Sequence, residues 1–222
     1  MIEAVFFDAV GTLIYLPKSV GHHYRLVAER HGLRLDEEVV DAAFRAVWKQ
    51  MPARPAIKNP RPDDDKGWWR ELVRRVLGQS APHRTLPDFD ACFEEIYTHF
   101  TEPGVWQLYP EAVGVLAELG QRHRLGIISN FDNRLRRILD QLGVLGRFEK
   151  LILSSEAGAD KPDPHIFQCA LDAFNVNAAH ALHVGDDPAH DWEGAAAAGM
   201  HVYQLQRPAG SLIGVMEYLE RL

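Results

Sequence analysis

Acidic residues gather at two places where a short apolar run ends. One is Phe7-Asp8-Ala9-Val10-Gly11-Thr12-Leu13, with Asp8 directly after Val5-Phe6-Phe7, and the other is His183-Val184-Gly185-Asp186-Asp187, with Asp191 following. Three carboxylates between positions 186 and 191 repel one another unless a cation or hydrogen bonds compensate them. A hard, oxygen-ligated ion is the natural partner, and Mg²⁺ suits it best. Asp187 or Asp191 could instead cap a helix, and Asp8 could do no more than begin a turn. Gly11 and Thr12 allow a tight turn whose backbone N–H groups can meet an anion. Ile128-Ser129-Asn130 ends another apolar run with a hydroxyl and an amide, groups able to hold a phosphoryl oxygen or an oxyanion. Lys161, in Lys161-Pro162-Asp163-Pro164, is an ordinary surface lysine taken alone. Set beside Asp8 and Asp186, it supplies the positive charge that a carboxylate nucleophile and an anionic substrate both need.

These residues can meet only if the elements before them end at one edge. The apolar runs Ile2-Phe7, Leu125-Ser129, Leu151-Leu153, Ala181-Val184 and Val202-Leu205 lack strict alternation, as strands buried on both faces do. Helical patterns lie between the later ones, which implies an α/β, doubly wound, Rossmann-like parallel sheet whose carboxyl edge carries the site. After the second run, Leu135, Ile138, Leu139 and Leu142 make an apolar stripe. Arg134, Arg136 and Arg137 are expected to face solvent, Asp132 to cap this helix and Gly143 to end it.

The first two runs are separated by far more chain than a crossover needs, so residues 16–104 are expected to form an inserted helical cap and residues 1–15 and 105–222 the catalytic core. Val40, Ala43, Phe44 and Val47, then Trp69, Leu72, Val73 and Val76, then Phe89, Cys92, Phe93, Ile96 and Phe100, fall at helical spacing; with the stretch around Leu26 they make a bundle of about four helices. Trp68 and Trp69 are read as core. The Pro-rich, acidic stretch Met51-Asp65 reads as a solvated connection. Leu16-Pro17 and Pro103-Gly104 flank the insert as hinges for a lid.

Composition narrows the function. A net charge of −7 argues against nucleic acid as a partner, and no segment suits a membrane span or a signal peptide. Two cysteines, Cys92 and Cys169, read as reduced core thiols of a cytoplasmic protein. The expected partner is a small anionic substrate, the expected state monomer or homodimer.

The order of the four clusters resembles the haloacid dehalogenase-like hydrolase superfamily: acid-x-x-Gly-Thr, Ser-Asn, Lys-Pro, then Gly-Asp-Asp with a later Asp, and a helical insertion like that family's all-helical cap. The resemblance implies a nucleophile at Asp8, an ordering cation at Lys161 and phosphoryl contacts from Ser129 and Asn130. It implies Mg²⁺ ligation by Asp8, the Val10 backbone carbonyl and Asp186, with Asp187 or Asp191 in support. Phosphatases of this family usually carry a second acid where Val10 stands here, and a valine moves no proton. A phosphatase that is slow, or that borrows a proton carrier such as His22, His23 or Lys18 in or beside the cap, is therefore expected. The alternatives are a 2-haloacid dehalogenase, a carbon–phosphorus bond hydrolase using a lysine such as Lys18, Lys49, Lys58 or Lys66, and a catalytically weak binding protein.

Overall fold

A computed structural model describes residues 1–84 and 86–222. The central sheet is parallel, with strand order β5-β4-β1-β6-β7. Its strands are β1 (Ala4–Phe7), β4 (Arg124–Ser129), β5 (Lys150–Leu153), β6 (Ala181–Gly185) and β7 (His201–Gln204). A small antiparallel pair, β2 (Ile14–Tyr15) with β3 (Gln107–Leu108), was not foreseen, because two-residue strands leave no periodicity to read.

Strand β1 is buried on both faces, as its unbroken apolar run requires. Phe6 meets Phe174 of α8 (Pro164–Phe174) edge to face at 4.6 Å, while the alternate residue Phe7 meets Phe148 at 6.5 Å. Each such ring contributes roughly 1.5–3 kcal/mol by leaving water. Further helices of this unit are α5 (Ala112–Leu119), α6 (Arg134–Gln141), α7 (Ser154–Ala157), α9 (Gly194–Ala197) and α10 (Gly214–Leu219). In α6, Leu135, Ile138 and Leu139 are buried as the stripe demands, and Gly143 follows with φ 72°. Arg134 does not face solvent: its guanidinium folds back onto buried Asp132, which also accepts from the Arg134 N–H.

The insert forms α1 (Val20–Arg30), α2 (Glu37–Gln50), α3 (Lys66–Ser80) and α4 (Phe89–His99). Ser19, Asp36 and Asp88 cap α1, α2 and α4 through side-chain oxygens. Val40, Val47, Leu72, Val76, Cys92, Phe93 and Ile96 form its core, with Trp68 and Trp69 packed against it. Burial pushes the Cys92 thiol up to about 11, which suits an inert core residue.

The chain divides into two compact units: Met1–Tyr15, Pro55–Asp64 and Gln107–Leu222 in one, Leu16–Arg54 and Asp65–Trp106 in the other. Residues 55–64, inside the expected insert 16–104, group with the first unit. Most of that stretch is exposed, as a solvated connection would be, yet it is docked: Arg61 is buried and Asp64 hydrogen-bonds to Asn133 and Ser155 of the first unit.

Candidate active site

Asp8 follows the last residue of β1, where sheet pairing stops after Phe7 has matched Ile127 and Val184. Its Oδ1 accepts from Ser129 Oγ at 3.1 Å and from Lys161 Nζ at 2.7 Å. Lys161 Nζ also donates to Asp191 Oδ1 at 2.5 Å, and His183 Nε2 reaches the same oxygen at 2.9 Å. A continuous buried chain thus runs from Ser129 through Asp8, Lys161 and Asp191 to His183. Beside it, Thr12 Oγ1 donates to Asp186 Oδ1 at 3.0 Å. Gly11 has φ 91°, and a Cβ there would collide with the Asp186 carboxylate, so only glycine allows the turn to lie this close.

The charges are unbalanced. Burial raises the Asp8 carboxyl above the usual carboxylate range, and Lys161 offsets only part of that cost. Asp186 is pushed up to about 6, first by burial and then by Asp8. Burial opposes ionisation of Asp191 as well, yet Lys161 and His183 outweigh it and hold that acid well below its ordinary value. Burial would likewise lower Lys161, but Asp8 and Asp191 prevail and keep it charged.

One oxygen each from Asp8, Asp186 and Asp191 lies within 4.8 Å of the others. Three carboxylates against one buried ammonium leave an excess of negative charge, and an all-oxygen donor set fits a hard divalent cation. Asp8 and Asp186 are the better ligands. Asp191 already has Oδ1 occupied by Lys161 and His183, and Oδ2 by the Asp187 N–H.

Three of the candidate residues have partners of their own in this geometry. Asp187 stands apart from the acid cluster and caps the turn Pro188–Glu193, accepting from the N–H groups of Ala189 and His190. Asn130 accepts the Lys161 backbone N–H at 2.6 Å and donates one of its two amide N–H groups to the Lys161 carbonyl at 3.0 Å, so it positions the lysine and keeps one donor over. Gly11 spends its N–H on Ile14 O at 2.9 Å, which leaves that turn a poorer anion cradle than expected. Lys66, one of the lysines considered for carbon–phosphorus chemistry, is paired with Glu94 at 2.7 Å.

Two residues had no role in the sequence reading. His183 is fully buried in β6, and an imidazole inside an apolar strand was the available signal. Arg207 gave none: it donates to Thr12 O at 3.1 Å and Glu111 Oε1 at 2.7 Å, with its guanidinium 3.6 Å over the Tyr109 ring, and so props the Gly11-Thr12 turn.

A family model described as haloacid dehalogenase-like hydrolase matches residues 2–199. The chain belongs to the haloacid dehalogenase-like hydrolase family. Haloacid dehalogenase-like hydrolase domain-containing protein 3 of Danio rerio is 33% identical, the match covering 94% of this chain and 87% of that protein. The fold is shared with a HAD phosphatase from Thermococcus onnurineus, at TM-score 0.71 and 21% identity over 98% of both chains. It is shared equally with L-2-haloacid dehalogenase from Xanthobacter autotrophicus, at TM-score 0.72 and 24% identity over 100% of this chain and 83% of that one. Haloacid dehalogenase-like hydrolases with different reactions therefore resemble this backbone to the same degree, and the side chains must separate them.

Proposed function

We propose that the chain is a Mg²⁺-dependent hydrolase of a small phosphorylated metabolite in the cytoplasm, acting through an aspartyl-phosphate at Asp8. The observation that carries this reading is the acid cluster around Lys161: a carboxylate oriented at the sheet edge by two donors, beside an Asp186 short of positive charge. Mg²⁺ held by Asp8, Asp186 and the Val10 carbonyl would neutralise charge on the transferring phosphoryl group. Ser129 and Lys161 orient the Asp8 carboxylate, so that one of its oxygens would face the cation while the other would attack phosphorus. The P–O bond to the alcohol breaks as the aspartyl bond forms, and water then releases phosphate and restores the carboxylate.

Val10 shapes the rate. Its side chain is exposed and apolar, so nothing at that position protonates the leaving oxygen, and roughly a hundred- to ten-thousand-fold of acid–base assistance is absent there. The same residue favours a second reading, 2-haloacid dehalogenation, in which Asp8 displaces halide at carbon and no leaving-group proton is needed. Phosphate release from p-nitrophenyl phosphate with and without Mg²⁺, run beside chloride release from 2-chloropropionate, separates the two. Turnover of the ester that needs Mg²⁺ and is lost in Asp8→Asn supports the phosphatase. Halide release without ester turnover overturns it.

A further inference from the structure

Residues 55–64 arrive from the helical insert and return to it in sequence, yet they pack with the catalytic unit as a strap over the segment leading to Lys161. Ile57 and Lys58 donate backbone N–H groups to Gly158 O at 2.9 and 3.2 Å, and the Arg61 N–H goes to Ser155 O at 2.7 Å. Asp64 accepts from Ser155 Oγ at 2.5 Å and from the Asn133 N–H at 3.0 Å. Gly158 has φ 66°, and a Cβ there would collide with the backbone of Asn59, so the receiving loop is shaped for this close approach.

Beneath the strap lies Arg61, only 7% exposed. Its Nη1 donates to Ser154 O at 3.2 Å and to Asp160 Oδ1 at 3.1 Å, while Nε and Nη2 both donate to Pro55 O at 3.3 Å. Burying a guanidinium is costly, and these charge-assisted bonds are what offset it. Asp160 directly precedes Lys161. The head of that lysine is fixed by Asp8 and Asp191 and its backbone by Asn130, and Arg61 holds the stretch Ser154–Asp160 that leads into it.

We propose that Arg61 is a positioning residue for Lys161, acting through Asp160, so that a residue written inside the insert completes the catalytic unit. This rests on Lys161 serving Asp8 in the reaction, and the test separates the two ideas. The full chain and its Arg61→Ala and Arg61→Lys variants are pulsed with acetic anhydride, and acetylation at Lys161 is measured by peptide mass spectrometry against the exposed Lys49 and Lys150. With p-nitrophenyl phosphate and Mg²⁺, kcat and KM are measured in parallel.

Arg61→Ala should acetylate at Lys161 about tenfold faster, the size expected from losing one charge-assisted hydrogen-bond set from a closed loop, with the control lysines unchanged. In that variant kcat should fall by about the same factor while KM holds, and Arg61→Lys, which keeps the charge but not the fork, should recover part of both. If Arg61→Ala does not fold, Arg61→Gln decides on the same labelling readout. Equal Lys161 labelling in wild type and a folded variant overturns the proposal whatever the turnover. Wild-type protein inactive on both the ester and 2-chloropropionate overturns the proposed function alone, and the labelling result still decides Arg61.

Discussion

Asp8, Lys161, Asp191 and His183 share their hydrogen bonds, so no substitution among them acts on one group only. Removing one partner of a buried pair strands the other charge at a cost of about 3–5 kcal/mol. Asp8→Asn is the milder probe, since it keeps volume, and it should abolish ester turnover without unfolding the chain, as circular dichroism would check. Val10→Asp should raise turnover of aliphatic phosphate esters by about tenfold or more and of p-nitrophenyl phosphate much less, because an alkoxide needs a proton to leave and nitrophenolate does not. Equal gains on both would show that the new carboxyl is not acting as an acid. A different residue-scale effect belongs to the insert. His23 is buried, its Nδ1 3.0 Å from His99 Nε2, with Glu102 on the far side of His99 and His22 and Glu37 nearby. Burial, then His99 and His22, lower its pKa from 6.5 to about 4. As pH falls through 6.5 the unfolded chain takes up this proton first, so stability declines until about pH 4 and then levels. The loss is on the order of 3 kcal/mol at roughly 1.4 kcal/mol per unit. Urea midpoints for wild type and His23→Gln should converge with falling pH; parallel curves would count against the buried neutral imidazole.

At the scale of elements, the site depends on where strands stop. β1 and β6 are paired in register, so their ends bring Asp8 and Asp186 to one edge although most of the chain lies between them. The turn between Asp8 and β2 is held from one side by Thr12 on Asp186 and from the other by Arg207 on the Thr12 carbonyl. Gly11→Ala tests this turn without removing a ligand. Its new Cβ meets the Asp186 carboxylate at a backbone φ of 91°, so one of the two must move. Mg²⁺ affinity measured calorimetrically should fall at least about tenfold, near 1.4 kcal/mol. Unchanged affinity would mean that Asp186 is not a ligand in the geometry described.

For the whole molecule, a cation that binds only the folded catalytic unit must stabilise it by mass action. At a free concentration about a hundred times Kd the gain is roughly 2.7 kcal/mol. For a chain of this size that is a rise of about 5–10 °C in Tm. Calorimetric scans in Mg²⁺ and in EDTA should differ by this amount in wild type and not in Asp186→Ala. A shift that survives the substitution would place the cation elsewhere. Among the described residues no helix is long and apolar enough to cross a membrane.

The apolar runs and the residue that ends each one were enough to place a parallel sheet, a helical insert and the acids Asp8 and Asp186 at one edge, because burial on both faces and a turn after each strand are local demands of the chain. The family resemblance followed from the same residues, whose types and order carry it. What neighbours would occupy each polar atom was not local. That Asn130 holds both the N–H and the carbonyl of Lys161, thirty-one positions away, and that Asp187 accepts from the N–H groups of Ala189 and His190, no local pattern announced. His183 became part of the site only when Asp191 folded onto it. Arg61 lay in a stretch whose prolines and acids look like linker, since composition reports how readily a segment turns and not what it docks against. Hydrogen-bond partners far apart in sequence are chosen by the packed fold, and only the tertiary structure could decide which carboxylates cluster together, which hold Lys161 and which accept from the backbone of a turn.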